Sequence, residues 1–557
     1  MTEFHPQLNK RRLYPLLNLR HDEVTRGHML HKLDVAYANT VNLIANPAPG
    51  LGSWFHTYKF GDKHMKFRLI VESRTIVSAA VVTALLGASL CSLPAQAQSS
   101  GQRSASINDV VSTPQVTGPI AVNSTPGAGT ARDYPFFVTE PQFDLALAGY
   151  VEEEFFVQGT ATRYQTPTMA DAVATSSGHP YKTRIVVRRP VDAKKFNGVV
   201  LVEWANVTSG YGIDLHWQYS REYLTREGYV VVRVDAQRVG VHQERTGLKD
   251  WSPTRYGSLD VTAGGSITDD SLSYDIFSQV IKAIKVSDRD KILKGLVPSA
   301  VLAVGQSQSA GRLTLYYNSI QPKHHLVDGF LIQVLGGPFR TDVRAPMMRI
   351  ISETELMLYG LGATRQPDSP TLREWEIAGA AHVDYWWVQY RQGLAVRDKM
   401  TPPSLGCDPE PGSHVPLRYV LNAGYHHLSR WVLNGIEPPR AEPITMTSVN
   451  PPMITRDVNG LAYGGIRQAE VEVPTATNRG DQIGMTPGCP NNYGMHVPFN
   501  DAKLSQLYRS NDAYVQAVTT TVRKNVREGF ILKDDAEEII RRAASSNVGT
   551  GRAVSIR

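Results

Sequence analysis

From about residue 150 onward, short apolar runs alternate with stretches of helical period. Residues 155–157 and 184–187 read as early strands. Val199-Val200-Leu201-Val202-Glu203-Trp204 is apolar almost throughout, the pattern of a strand buried on both faces. Residues 229–234 and 301–304 repeat that pattern, and 326–334, 347–351 and 372–377 supply three further runs. Between them, residues 271–286 carry Ile276, Val280 and Ile284 four apart, which places them on one helix face. Residues 312–319 and 417–433 also read as helices, and 501–546 as closing helices. Strands alternating with helices predict an α/β class: a mostly parallel central sheet flanked by helices. No repeat of fixed period is present. Residues 98–130, rich in Ser, Thr, Gly, Pro and Ala, read as a flexible lead-in. Residues 440–500, rich in Pro, Gly and Asn, predict a loop-rich C-terminal elaboration.

Composition narrows the function classes. With 42% hydrophobic and 20% charged residues, the chain is globular rather than disordered. Its formal charge of +6 raises the question of a nucleic-acid partner. Position answers it: residues 1–64 contribute +3 and 65–97 contribute +2, leaving +1 for 98–557. A phosphate-tracking basic surface is not implied. The middle segment accounts for its own charge. Met65, Lys66 and Arg68 precede an apolar run of about 15 residues that ends in Ala95-Gln96-Ala97. This is the pattern of a signal peptide over 65–97, cleaved after Ala97. Met65 then reads as the start, and 1–64 as upstream sequence or an extension. The expectation is an exported protein, periplasmic or extracellular, without a stable membrane anchor. Three cysteines cannot form a disulfide framework. After cleavage Cys407 and Cys489 remain, both in Pro/Gly-rich loops, and export favours their pairing.

The chemistry centres on Val304-Gly305-Gln306-Ser307-Gln308-Ser309-Ala310-Gly311. An apolar strand enters Gly-x-Ser-x-Ser and a helical stretch follows, the context of a nucleophile elbow. The positions two before and two after the nucleophile must be small, because the turn is tight. Gly305 satisfies this outright; Ser309 replaces the usual second glycine with another small residue. Partners follow in chain order. Ser352-Glu353-Thr354-Glu355 lies past the 347–351 strand, and His382, in a Gly/Ala loop, lies past the 372–377 strand. In a parallel sheet those strand ends share one edge, so Ser307, an acid and His382 can converge. Ser is a weak nucleophile, His382 would take its proton, and a carboxylate would fix the imidazole tautomer. Glu353 and Glu355 share parity along the strand; Glu353 is the preferred acid, with Asp368 and Asp384 as outsiders. An oxyanion would be held by the backbone N–H of Gln308 and one from Ala205 or Asn206. The adjacent pairs His324-His325 and His426-His427 lack metal-ligand spacing. Trp386 and Trp387 are candidates for a pocket wall.

These motifs resemble those of secreted bacterial α/β-hydrolase-domain proteins of the serine hydrolase superfamily. The resemblance rests on Val202-Glu203-Trp204-Ala205-Asn206-Val207, the Ser307 and His382 motifs and Ser352-Glu353-Thr354-Glu355. Arg365-Gln366-Pro367-Asp368-Ser369 and Arg456-Asp457-Val458-Asn459-Gly460 through Gly464-Gly465-Ile466-Arg467 extend it, over about 150–550. It implies an α/β-hydrolase fold over 131–557 with Ser307 and His382 catalytic, and does not choose between the two glutamates. The expected activity is cleavage of a small-molecule or polymeric carboxylic ester through an acyl-enzyme, with no cofactor and no metal. A peptidase, amidase or lactonase with the same residues is the alternative, as is an inactive binding protein. Residues 384–415 and 440–500 are candidate lids.

Overall fold

A computed structural model describes residues 56–60, 63–67, 111–139, 142–402, 412–482 and 491–550. The chain divides into two compact units, Met1–Ala95 and Gln96–Arg557. In the first, His56–Phe60 and Lys63–Phe67 form an antiparallel hairpin. Met65 to Phe67 of the expected signal segment lie in that hairpin; the rest of the segment falls outside the described residues.

The second unit is built on nine strands: β1 (Gln115–Thr117), β2 (Tyr150–Gln165), β3 (Val173–Pro190), β4 (Val199–Trp204), β5 (Val230–Val234), β6 (Ala300–Gln306), β7 (Gly329–Gln333), β8 (Met347–Ser352) and β9 (Leu372–Ile377). They pair in the order β9-β8-β7-β6-β4-β5-β3-β2-β1. Strands β4 to β9 are mutually parallel, whereas β3, β2 and β1 extend the sheet antiparallel. Every residue of β4, β5, β6, β7 and β8 is buried, which is why these strands read as apolar runs without alternation. The stretch read as a lead-in supplies β1, whose Val116 is buried against the sheet.

Helices α1 (Leu215–Arg226), α2 (Ser273–Lys282), α3 (Gln308–Leu315), α4 (Glu353–Met357), α5 (Tyr385–Arg397), α6 (Leu417–Asn434), α7 (Asn511–Glu528) and α8 (Lys533–Ser545) accompany the sheet. The expected 271–286 helix is α2 followed by a wider π turn over Ala283–Ser287. Among the described residues of 440–500 are two small antiparallel strand pairs, β10–β11 (Met446–Val449 with Pro452–Ile454) and the β12–β13 hairpin (Ala476–Arg479 with Met495–Pro498). Helices α7 and α8 share a core of their own, with Val518, Val522 and Ile539 buried beside Tyr419 of α6.

Two features place the site. The chain passes from β4 to β5 on one side, and β6 then pairs on the other side of β4. That reversal opens a crevice beyond the C-terminal ends of β4 and β6. Asp235, just past β5, faces inward: Arg184 Nε and Arg233 Nη2 each donate to it at 2.8 Å. Burial alone would raise its pKa, and the two guanidiniums hold it below the ordinary carboxylate range. It is a member of a buried ion network, not of the crevice rim.

The expected Cys407–Cys489 disulfide is corrected. Among the described residues no pair of cysteines comes near disulfide distance, and Cys407 and Cys489 both fall outside them. A bridge needs Cα atoms within about 7 Å, and a count of two cysteines carries no information on that separation. Among the described residues, no helix is long and apolar enough to cross a membrane.

Candidate active site

Strand β6 ends at Gln306 and α3 begins at Gln308, so Ser307 alone reverses the chain. Its φ of 59° and ψ of −120° lie where residues other than glycine are rare. The surroundings hold it there. Ser307 N–H donates to Gln333 O at 3.0 Å, and Gly311 N–H donates to Ser307 O at 3.1 Å. Gly305 has to lack a side chain: a Cβ there would stand 2.9 Å from Leu313 Cδ1 and 3.1 Å from the Ser309 backbone. Ser309 is more than small. Its Oγ accepts from Gln306 N–H at 3.0 Å and donates to Gln306 O at 2.9 Å, cross-linking the turn. Asn206 Nδ2 donates to the same carbonyl at 2.9 Å, joining the ends of β4 and β6 across the crevice.

The loop after β9 turns at Gly379, with φ 74°, and brings in His382, which is 3% exposed. Ser307 Oγ stands 2.7 Å from His382 Nε2, and Glu355 Oε1 stands 2.6 Å from Nδ1. Since the ionised carboxylate only accepts, Nδ1 carries the proton and Nε2 accepts from the serine hydroxyl. The imidazole is braced from behind. His382 N–H donates to Thr354 Oγ1 at 3.0 Å, Thr354 Oγ1 donates to Gly480 O at 2.6 Å, and Gln306 Nε2 donates to His382 O at 3.2 Å. The Tyr359 ring lies 5.7 Å from the imidazole and is 48% exposed. Burial, with the charge of Glu355, raises its hydroxyl pKa.

The preference for Glu353 is corrected. Residues 353–357 form helix α4 rather than the continuation of β8. In a helix, residues two apart point to nearly opposite faces, so shared parity does not apply. Ser352 and Glu355 form a capping box: Glu355 Oε2 accepts from Ser352 N–H at 2.7 Å and from Ser352 Oγ at 2.6 Å, which aims Oε1 at His382. Ser-x-x-Glu is legible in the sequence and is the signal that separates the two acids. Glu353 turns the other way, accepting from Gly379 N–H at 2.5 Å, Gly480 N–H at 3.1 Å and Arg456 Nη2 at 2.8 Å. Among the outsiders, Asp368 pairs with Arg373 at 2.8 Å.

Two of the amides expected to hold an oxyanion already have partners. Ala205 N–H is engaged with Val234 O at 3.1 Å and Asn206 N–H with Ile213 O at 2.8 Å. The next amide, Val207 N–H, makes only a long contact of 3.4 Å, to the side-chain oxygen of Gln308. A carbonyl-type oxygen of the protein itself thus occupies that donor. Gln308 N–H sits in the first turn of α3, where helix amides have no partner within the helix.

Asp384, two residues past His382, caps two helices with one carboxylate. Oδ1 accepts from Trp387 N–H at 2.9 Å in α5, and Oδ2 from Leu417 N–H at 2.8 Å in α6. Burial pushes its pKa up to about 6, against those backbone bonds. An unfolded Asp titrates near about 3.9. The folded state therefore holds this proton more tightly, and the contribution is full below about pH 4 and lost as pH rises through about 6. Asp384→Asn is expected to lack that slope. Urea unfolding of both proteins from pH 4 to 7 measures it; parallel stability profiles would reject the assignment. Trp387 is buried with its indole N–H on Gln218, and Trp386 donates to His414 O at 3.2 Å. Among the described residues, no group of three or more His, Cys, Asp and Glu could hold a metal ion. His324 instead lies between Ser278 and Tyr164.

A mostly parallel sheet flanked by helices, a strained Ser between strand and helix, and an acid and His past later strands define an α/β-hydrolase fold. The chain belongs to the alpha/beta hydrolase domain family, whose model matches residues 116–541. No curated protein matches it. Among solved structures it is similar to dienelactone hydrolase from Anabaena variabilis, at 14% identity over 39% of this chain and 88% of that one, with a TM-score of 0.24. XC6422 from Xanthomonas campestris is also 14% identical, over 48% and 99%, with a TM-score of 0.24. Est1E from Butyrivibrio proteoclasticus is 12% identical, over 39% and 93%, with the same TM-score of 0.24.

Proposed function

We propose that this protein is a serine hydrolase that cleaves carboxylic esters through an acyl-enzyme. The observation that carries the reading is the continuous chain from Ser307 Oγ through both imidazole nitrogens of His382 to Glu355. Ser307 Oγ attacks the ester carbonyl carbon while its proton passes to His382 Nε2. Glu355 holds the tautomer and stabilises the imidazolium. The tetrahedral oxyanion takes the N–H groups of Gln308 and Val207 once the Gln308 side chain swings aside. His382 then protonates the departing alkoxide, which leaves as alcohol. A water attacks the acyl carbon, gives its proton to His382, and Ser307 regains it as the acid departs.

The test is labelling of the purified full chain with a fluorophosphonate, which phosphonylates a serine only where a neighbouring base activates it. Stoichiometric labelling of wild type and none of Ser307→Ala is expected. Absence of wild-type labelling, or equal labelling of the variant, favours the binding-protein alternative. Turnover of p-nitrophenyl esters and of p-nitroanilides then separates an esterase from an amidase or peptidase. The export reading belongs to the same proposal: an N-terminus at Gln98 on secreted protein supports it, and retention of residues 65–97 opposes it.

A further inference from the structure

A cavity of about 390 Å³ lies among α5, the β12–β13 hairpin, α7 and α8, with neither Ser307 nor His382 in its wall. This is a volume typical of small-molecule sites. Its wall includes aliphatic Val473, Val518, Ile539 and Val548. The same wall carries polar groups that the fold leaves incomplete. Glu470 Oε2 is shut off from solvent and has no hydrogen-bond partner among the described residues. Burial raises its carboxyl above the usual range, opposed by its own backbone amide and then by Arg542 and Arg418. Arg542 lays its guanidinium 4.3 Å over the Trp386 ring, near enough to Glu470 for its charge to favour the carboxylate. His414 and His496 stack at 3.6 Å and 11°. Burial lowers them to about 3 and about 4, so the stack is uncharged at neutral pH.

Among the described residues, the cavity therefore presents a carboxylate oxygen of Glu470 that lacks a donor, His414 Nδ1 that lacks a partner, the Arg542 guanidinium, and aliphatic side chains. Buried polar groups are ordinarily partnered, so Glu470 Oε2 points to a missing occupant, and Arg542, partly exposed in the same wall, is the cation that occupant would meet. An amine alone leaves Arg542 unanswered and brings a further cation beside it. An acid alone sets one carboxylate against another. A neutral apolar molecule satisfies neither group. We infer that the cavity binds a small zwitterion with an apolar body, an α-amino acid of about the size of leucine or phenylalanine. Its ammonium donates to Glu470, its carboxylate accepts from Arg542, and its side chain lies against Val518, Ile539 and Val548. This site is separate from Ser307 and does not depend on the hydrolytic reading.

Isothermal titration of the full chain with L-leucine and L-phenylalanine tests the inference. Saturable binding of at least one is expected. 3-Methylbutylamine and 4-methylpentanoate, which each lack one charged group of leucine, are expected to bind at least about tenfold more weakly. Glu470→Gln and Arg542→Gln should each weaken amino-acid binding by about tenfold or more, and Ala543→Trp, which fills the cavity, should abolish it. Circular dichroism melting shows whether each variant is folded. Arg542 is only partly buried on α8, so its variant keeps the test available if Glu470→Gln does not fold. No heat from either amino acid up to about 10 mM, analogues bound as tightly as the amino acids, or a folded Arg542→Gln with unchanged affinity would overturn it.

Discussion

Replacing His382 by alanine is expected to slow ester turnover by roughly four to six orders of magnitude. Without a base within 2.7 Å of Ser307 Oγ, the hydroxyl must attack at its own high pKa, and no group returns a proton to the leaving alkoxide. Ser307→Ala should lose about as much. The double variant is the sharper measurement. Residues that act as one unit are not additive, so Ser307→Ala/His382→Ala should fall no further than either single variant. Residual turnover above the uncatalysed rate is expected from substrate positioning and the oxyanion donors. A single variant within about tenfold of wild type, or losses that multiply in the double, would remove these two side chains from the mechanism.

The second large effect separates the glutamates. Glu355→Gln should cost about 10³- to 10⁴-fold in kcat. Ser352 presents two donors to Oε2, its amide N–H and its hydroxyl. The new amide will turn its oxygen toward them and its NH₂ toward His382 Nδ1. That forces the proton onto Nε2, the nitrogen that must accept from Ser307. Glu353→Gln disturbs a different partnership. Glu353 and Arg456 form a largely buried pair, and removing the negative charge weakens an ion cluster that Asp481 still shares. Its cost should appear as lowered stability, of about 1–3 kcal/mol, with kcat within about tenfold of wild type. Steady-state kinetics normalised to the folded fraction, beside urea unfolding of each variant, checks both halves. A larger kcat loss in Glu353→Gln than in Glu355→Gln would reverse the assignment.

The two acids also show where sequence reasoning stops. The parallel sheet is legible because β4 to β8 are buried on both faces and leave apolar runs bounded by turn residues. The meeting of Ser307 and His382 follows from it, since residues past the ends of parallel strands share an edge. The choice of Glu355 depends on whether the chain past Ser352 stays extended or turns helical. Period-two reasoning silently assumes the first, although the capping box was present to argue the second. The amide donors near β4 were out of reach for another reason. Whether Ala205 or Asn206 N–H is engaged depends on partners at Val234 and Ile213, and no local pattern reports that pairing. The cavity beside Glu470 is more remote still, because its walls are gathered from chain positions between 386 and 548.

The braces around Glu353 and Thr354 carry a consequence for the molecule's divisibility. All three residues of the Ser307–His382–Glu355 chain precede residue 440, yet Arg456 and Gly480 hold the turn that carries the acid. A fragment ending before the β10–β11 hairpin would retain the reacting side chains and lose the groups that fix their orientation. It would also leave Glu353 as an uncompensated buried charge, a defect of about 3–5 kcal/mol. A fragment that ends before residue 440 is therefore expected to lose the support of α4. Insertions or fusions after 440 are expected to be tolerated best where they leave Arg456 and Gly480 in reach of α4.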